Sequence, residues 1–262
     1  MGHGERNYPV HGRIAAPVNL ILLEPDEVDA AGDATLSDER ATHALTVLHA
    51  AAGHSIRIGL VDGPAGIGTV TAVARRSLTM HCAFDEAVPT RPRVDLLLAL
   101  PRPKVLRRLW AQLSALGVGR IILTNAERVE RHYFDTHILE PDHYRPWLIE
   151  GLQQARDTRL PIVSIHRQFK VLIEDHLEAM VDDGPRVVAD PSASATLDDV
   201  VRGEPTSRLL LAVGPEGGWN AFELDLLETR GFLTIGMGPR TLRSDTACVA
   251  LITLAHRALT HK

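Results

Sequence analysis

Up to residue 84 the hydrophobic positions fall in short, closely spaced runs; beyond about residue 90 apolar strands alternate with helical periods. Val18-Asn19-Leu20-Ile21-Leu22-Leu23 predicts a first strand. Ser37 reads as the N-cap of a helix with Asp38 and Glu39 in its first turn and Gly53 as its stop. Its inward face carries Ala41, Leu45, Leu48 and Ala52. Ser55–Val61, Gly68–Ala74 and Leu78–Phe84 predict three strands, the first two separated by the turn-rich Asp62-Gly63-Pro64-Ala65-Gly66. Closely spaced strands with little helix point to a small barrel or sandwich.

Pro89 and Pro92, within residues 87–93, oppose both helix and central strand and mark a linker. The pattern then predicts strands at Val94–Leu100, Arg120–Thr124, Pro161–Ile165, Arg186–Ala189, Leu209–Val213 and Phe232–Ile235. Between them lie helices at Lys104–Leu116 (ending at Gly117), Tyr144–Ala155, Phe169–Met180, Asn220–Arg230 and Ser244–Leu259. Mostly apolar strands interleaved with helices predict an α/β domain with a parallel sheet covered on both faces. The expected division is an N-terminal extension over 1–17, a small β domain over 18–88 and the α/β domain over 89–262.

Composition adds limits. The 262 residues are 45% hydrophobic and 23% charged, ordinary values for a globular protein with a sizeable core. No apolar run approaches a membrane span, and residues 1–17 lack the continuous apolar stretch of a secretory signal. The 2 cysteines, Cys82 and Cys248, form neither a disulfide scaffold nor a metal spacing, so a reduced cytoplasm is expected. His132, His137 and His143 are spaced by five and six residues, which does not align them on one helix face, and no metal site is expected.

The net charge of -5 argues against a broad basic surface for nucleic acid. It divides unevenly: residues 1–90 hold 6 Lys/Arg against 11 Asp/Glu, and the rest hold 22 of each. Arg91, Arg93, Arg102, Lys104, Arg107 and Arg108 oppose only Asp95. They read either as a local phosphate-binding patch or as a solvated helix face beside a linker.

Ligands of open parallel sheets bind outside the carboxyl ends of the strands. Three such ends carry unusual loops: Asp190-Pro191-Ser192, Gly214-Pro215-Glu216-Gly217-Gly218, and Met237-Gly238-Pro239-Arg240-Thr241-Leu242-Arg243. The glycines let a ligand approach the backbone closely, but neither a P-loop ending nor the G-x-G-x-x-G spacing is present. A backbone-lined slot for a flat neutral group such as adenine fits better than a phosphate cradle. Ser244 reads as the N-cap of the last helix, with Asp245 and Thr246 in its first turn, where Asp245 also suits the helix dipole. That helix is apolar around nearly its whole circumference, as a buried or subunit-interface helix is.

Gly214-Pro215-Glu216-Gly217-Gly218 followed by Gly238-Pro239-Arg240-Thr241-Leu242-Arg243-Ser244-Asp245-Thr246-Ala247 resembles the RsmE family, ribosomal RNA uracil-N3 methyltransferases of the SPOUT superfamily. Leu98-Ala99-Leu100-Pro101 with Lys104, Gln154 followed by Pro161, and His43 with Val47-Leu48 extend the likeness over most of residues 18–260. The resemblance implies a PUA-like β-barrel that holds RNA, a SPOUT methyltransferase domain with a C-terminal trefoil knot, and a homodimer formed through the last helix. It also implies S-adenosylmethionine as cofactor, small-subunit (16S) ribosomal RNA as partner and methylation of N3 of a uridine, without metal.

Carried over by that resemblance, Ala189, Asp190, Val213, Gly214, Pro215 and Glu216 form one side of the cofactor slot. Gly217, Gly218, Met237, Gly238, Leu242 and Ala247 form the other, with Arg243 and Thr246 where cofactor and base meet. Arg243, Arg240 and Asp245 are the catalytic candidates; His43, Arg102, Lys104, Gln154 and Arg156 are the RNA-binding ones. Asp245 stands at a common glutamate position, His49 and Asp157 at common arginine positions, Thr42 where a second basic residue or His precedes His43, and Trp219 at a common phenylalanine. Two alternatives stand beside this reading: a SPOUT enzyme acting on another RNA (a transfer RNA or a ribose 2′-hydroxyl), and a non-catalytic RNA-binding or assembly protein.

Overall fold

The structure, a computed structural model, describes residues 20–201, 208–238 and 240–260. Val18 and Asn19 of the expected first strand, Pro239 and the expected extension over 1–17 lie outside them. The chain parts into two compact units between Val88 and Pro89.

The first unit is a five-stranded mixed sheet with one helix. Its strands are β1 (Ile21–Leu23), β2 (Asp33–Leu36), β3 (Ser55–Leu60), β4 (Ala65–Val73) and β5 (Leu78–Phe84), in the order β1-β3-β4-β5-β2. β1 runs parallel to β3, and the other pairs are antiparallel. Leu78, Met80 and Cys82 of β5 are buried while His81 and Ala83 are exposed, so the two-residue period turns one face inward. β4 begins at Ala65, earlier than the sequence suggests, because Ala65 pairs with Gly59 of β3; Gly66 next to it is packed so closely on β5 that a Cβ would lie 2.3 Å from the Ala83 carbonyl oxygen. β2 has no counterpart among the expected strands.

The helix α1 (Glu39–Thr46) corrects the expected start at Ser37 and stop at Gly53. Asp38 is its N-cap, its carboxylate accepting the Arg40 N–H at 2.9 Å, and His49 at φ 50° carries the chain out of the helix in the left-handed region. Ala41 and Ala44 form its buried face, whereas Ala52, beyond the helix, is exposed. Arg40 ties the start of the helix to the sheet, donating to the Leu22 carbonyl at 2.8 Å and pairing with Glu27 and Asp38.

The second unit is built on a six-stranded sheet. Its strands are β6 (Val94–Ala99), β7 (Val118–Thr124), β8 (Ile162–His166), β9 (Arg186–Ala189), β10 (Leu209–Val213) and β11 (Phe232–Ile235), in the order β11-β9-β10-β6-β7-β8. Every pairing is parallel. β6 and β10, in the middle, are buried at every position, as strands covered on both faces are. Asp95 sits in that core because Arg208 meets it with two bonds of 2.5 and 3.0 Å.

Helices α2 (Pro103–Ala115), α3 (Pro141–Ala155), α4 (Phe169–Val171), α5 (Leu177–Met180), α6 (Leu197–Val200), α7 (Ala221–Glu228) and α8 (Ser244–Thr260) connect or follow these strands. The single helix expected over Phe169–Met180 is interrupted by a π turn at Leu172–His176, where the Leu177 N–H reaches back to the Leu172 carbonyl. α6, closed by reciprocal bonds between Thr196 and Asp199, was not foreseen. Ser244 is not the N-cap of α8 but its first residue; the Arg243 carbonyl accepts the Ala247 N–H at 2.8 Å. No helix among the described residues is long and apolar enough to cross a membrane.

Candidate functional site

β9, β10 and β11 are neighbours in the sheet, so the loops leaving their carboxyl ends converge. They enclose a cavity of about 350 Å³. Ala189 and Asp190 come from the first loop, Val213, Gly214, Pro215, Glu216, Gly217 and Gly218 from the second, and Met237, Gly238, Arg240 and Leu242 from the third. Ser244, Ala247 and Leu251 of α8 complete the lining.

The loops are held against one another by the backbone. The Asp190 N–H donates to the Ile235 carbonyl at 2.9 Å and the Gly236 N–H to the Ala195 carbonyl at 2.8 Å. A Cβ on Gly236 would lie 2.3 Å from the Ala193 carbonyl oxygen, so only glycine permits this approach. The Asp190 carboxylate is turned onto its own loop, accepting the Ser192 N–H at 2.7 Å and hydroxyl at 2.6 Å.

Among the lining residues not expected in the cofactor slot, Arg128 and Trp219 brace the second loop. Arg128, in the loop after β7, donates to the carbonyl of Gly217 and, at 3.4 Å, to that of Gly218. It belongs to another carboxyl end of the same sheet, which is the signal that would have found it. Trp219 packs its ring on Gly214, where an added Cβ would stand 3.1 Å from the indole. Its Nε1 is buried with no hydrogen-bond partner, and the ring tilts against Phe169 with centroids 5.3 Å apart.

Arg243 and Thr246 are exposed and are not among the lining residues; Arg240 is exposed and lines the cavity. Asp245 does not line it either. Its Oδ2 accepts from Arg108 Nη2 at 3.0 Å and its Oδ1 from the Thr246 N–H at 2.9 Å. The neighbouring Cys248 is fully buried, and burial together with the Asp245 charge pushes its thiol up to about 12, which removes it as a nucleophile.

The basic run divides. Arg91 donates to the Leu160 carbonyl and Arg93 to the Leu259 carbonyl at 2.8 Å, so both serve the fold. Arg102, Lys104, Arg107 and Arg108 are exposed on or just before α2, with Arg107 over the Trp147 ring at 5.6 Å. Gln154 and Arg156 are exposed at the end of α3, Arg156 in the left-handed conformation at φ 59°. His43 is exposed on α1 of the first unit.

Residues 89–256 match the family model of the RNA methyltransferase domain. The chain is 30% identical over 257 residues to the ribosomal RNA small subunit methyltransferase E of Treponema pallidum, covering 91% of this chain and 92% of that one. The chain belongs to the RsmE family of RNA methyltransferases. A second RsmE protein, ribosomal RNA small subunit methyltransferase E 1 of Borreliella burgdorferi, is 24% identical over 238 residues, with 89% and 95% of the two chains covered. Among solved structures, the RsmE protein of Neisseria gonorrhoeae bound to S-adenosyl methionine aligns with a TM-score of 0.74 at 19% identity, over 92% of this chain and 97% of that one. An RsmE-like α/β fold with a parallel sheet is thus what this sequence adopts.

Proposed function

We propose that the protein is an S-adenosylmethionine-dependent methyltransferase that methylates N3 of a uridine in small-subunit ribosomal RNA. The observation that carries the reading is the cavity of about 350 Å³ between three loops of adjacent parallel strands, within the segment that matches the RNA methyltransferase domain. Its lining suits the cofactor. Gly214 and Gly217 let Trp219 and Arg128 pack closely on the second loop, and the unpartnered Trp219 Nε1 and the backbone groups of 213–218 and 236–238 suit the edge of an adenine.

When bound, the cofactor supplies an electrophilic sulfonium methyl. The chain's own residues position and polarise the base. Arg240 lies at the cavity, and Arg243 and Thr246 outside its lining, so Arg243 is assigned to the uracil and not to the cofactor. A guanidinium beside the ring oxygens stabilises the negative charge that appears when the N3 proton leaves. Asp245 is the assigned acceptor of that proton through water, its carboxylate oriented by Arg108 and the Thr246 amide. Arg102, Lys104, Gln154 and Arg156 are assigned to the RNA backbone, as is His43 on the first unit.

The finer architecture belongs to the same proposal. Residues 18–88 form a PUA-like barrel that binds RNA, and residues 89–262 a SPOUT domain knotted through its last three loops. The close approach of Gly236 to the Ala193 carbonyl supports this reading. α8 pairs two copies in a cytoplasmic homodimer, and no metal takes part.

Calorimetric titration with S-adenosylmethionine, followed by methylation of unmodified small subunits and nucleoside mass spectrometry, tests the whole. Methyl on uracil N3 is the expected product; methyl on ribose, or no cofactor binding, overturns the reading. Arg243→Ala lowers turnover and leaves cofactor affinity within about threefold. Loss of cofactor binding alone would contradict the assignment of Arg243.

A further inference from the structure

A second cavity of about 300 Å³ is lined by segments that also line the first. The segment 125–131 supplies Arg128 to one cavity and Asn125 and Arg131 to the other. The segment 213–223 does the same, with Trp219 in the first and Phe222 and Glu223 in the second. The tilted ring pair of Phe169 and Trp219 joins them, one ring in each lining.

The lining combines three kinds of group. Asn125 Oδ1 is buried and has no hydrogen-bond partner, a position that costs stability unless a donor arrives. The buried Glu223 accepts the Glu127 N–H at 2.7 Å and the Asn220 N–H at 2.8 Å, and its carboxylate keeps further acceptor capacity. At the rim stand two exposed cations: Arg131, which forms no ion pair among the described residues, and Lys170, which pairs with Glu174 at 3.8 Å. Phe222, 55% exposed, offers an aromatic face.

Acceptors below, cations at the rim and an open ring beside them match a nucleotide: base edge inside, phosphate outside, base stacked on the ring. Two acceptors suit a base with two donors, which an exocyclic amino group supplies and uracil, with N3–H as the single donor of its Watson–Crick edge, does not. We propose that this cavity receives a nucleotide that neighbours the methylated uridine in the RNA and whose base carries an exocyclic amino group. The proposal rests on the methyltransferase reading and adds to it a source of sequence selectivity beyond the target base.

The test follows the amide signals of the isotope-labelled full chain by NMR while adenosine monophosphate, or uridine monophosphate, is added. S-adenosylhomocysteine is kept at saturation so that the first cavity is filled. Adenosine monophosphate is expected to shift Asn125, Lys170 and Phe222, and uridine monophosphate to bind about tenfold more weakly. Asn125→Leu and Phe222→Ala each weaken adenosine monophosphate by about tenfold. Lys170→Glu, on the surface, tests the phosphate contact independently of whether Asn125→Leu folds. Equal binding of the two nucleotides, shifts confined to the first cavity, or affinities unchanged in the variants overturn the proposal. S-adenosylmethionine titration of the same protein before S-adenosylhomocysteine is added separates the two readings. Absence of cofactor binding removes the methyltransferase assignment, whereas cofactor binding without a response at Asn125 removes only this one.

Discussion

The two units of the chain solve burial differently. In the first, β2 and β5 bury alternate residues and leave the others to water, so each strand contributes half its side chains to a small core. In the second, β6 and β10 are buried throughout, and the core continues into α2, α3 and α8. A small core closes less of its own surface and leans more on placed polar links. In the first unit that link is Arg40, which joins the Leu22 carbonyl, Glu27 and Asp38. The second unit meets the buried Asp95 carboxylate with Arg208 and leaves Arg102, Arg107 and Arg108 exposed at the surface.

The comparison breaks or sharpens under substitution. Leu97→Ala, in the middle of β6, removes side-chain volume where no neighbour is exposed, and costs about 3 kcal/mol of the second unit's stability in chemical denaturation. A loss as small as that of a surface substitution would mean that the second core is not the tighter one. The cysteines report each unit separately. Both thiols are raised by burial, Cys82 in the first unit and Cys248, to about 12, in the second. Labelling therefore reads local opening, and Cys82 is expected to react about tenfold faster with a thiol reagent, followed by mass spectrometry. Equal rates would remove the difference in stability.

Arg40→Ala costs about 1 kcal/mol near neutral pH by releasing the Glu27 and Asp38 carboxylates. The hydrogen bond from Arg40 holds the Glu27 carboxyl below its ordinary value. Its contribution is therefore full above that ordinary value and is lost as pH falls through the lowered one. The gap between wild type and variant is expected to close on acidification, as thermal melts at several pH values will read. The smallest effect belongs to His166 of the second unit, which burial and the nearby His176 hold below the ordinary histidine value. Its neutral form belongs to the folded state. Stability is complete above the ordinary value and declines as pH drops towards the lowered one, and His166→Gln flattens that decline in denaturant midpoints.

Much of this was legible in the chain. The strands at 78–84, 186–189, 209–213 and 232–235 carry short apolar runs bounded by turn residues, and their limits agree with the structure. Boundaries set by side chains that act across the chain were not legible. α1 begins at Glu39, capped by Asp38, whose carboxylate also holds Arg40 at Leu22 and Glu27, and β4 begins at Ala65 because it pairs there with Gly59 of β3. The glycine-rich motifs point to the three loops, but Arg128, which braces the second of them from the end of β7, carries no local pattern.

The sequence by itself determined the two modes of burial, the excess of acid before residue 90 and the family to which the chain belongs. Periodicity and motif are properties of neighbouring residues, which any reading along the chain can recover. Only the tertiary structure decided the strand order β11-β9-β10, which brings loops some fifty residues apart around one cavity. It alone separated the arginines that hold the fold, Arg91 and Arg93, from those on α2 that remain exposed. Hydrogen bonds such as Arg93 to the Leu259 carbonyl exist only once distant backbone has been brought within reach.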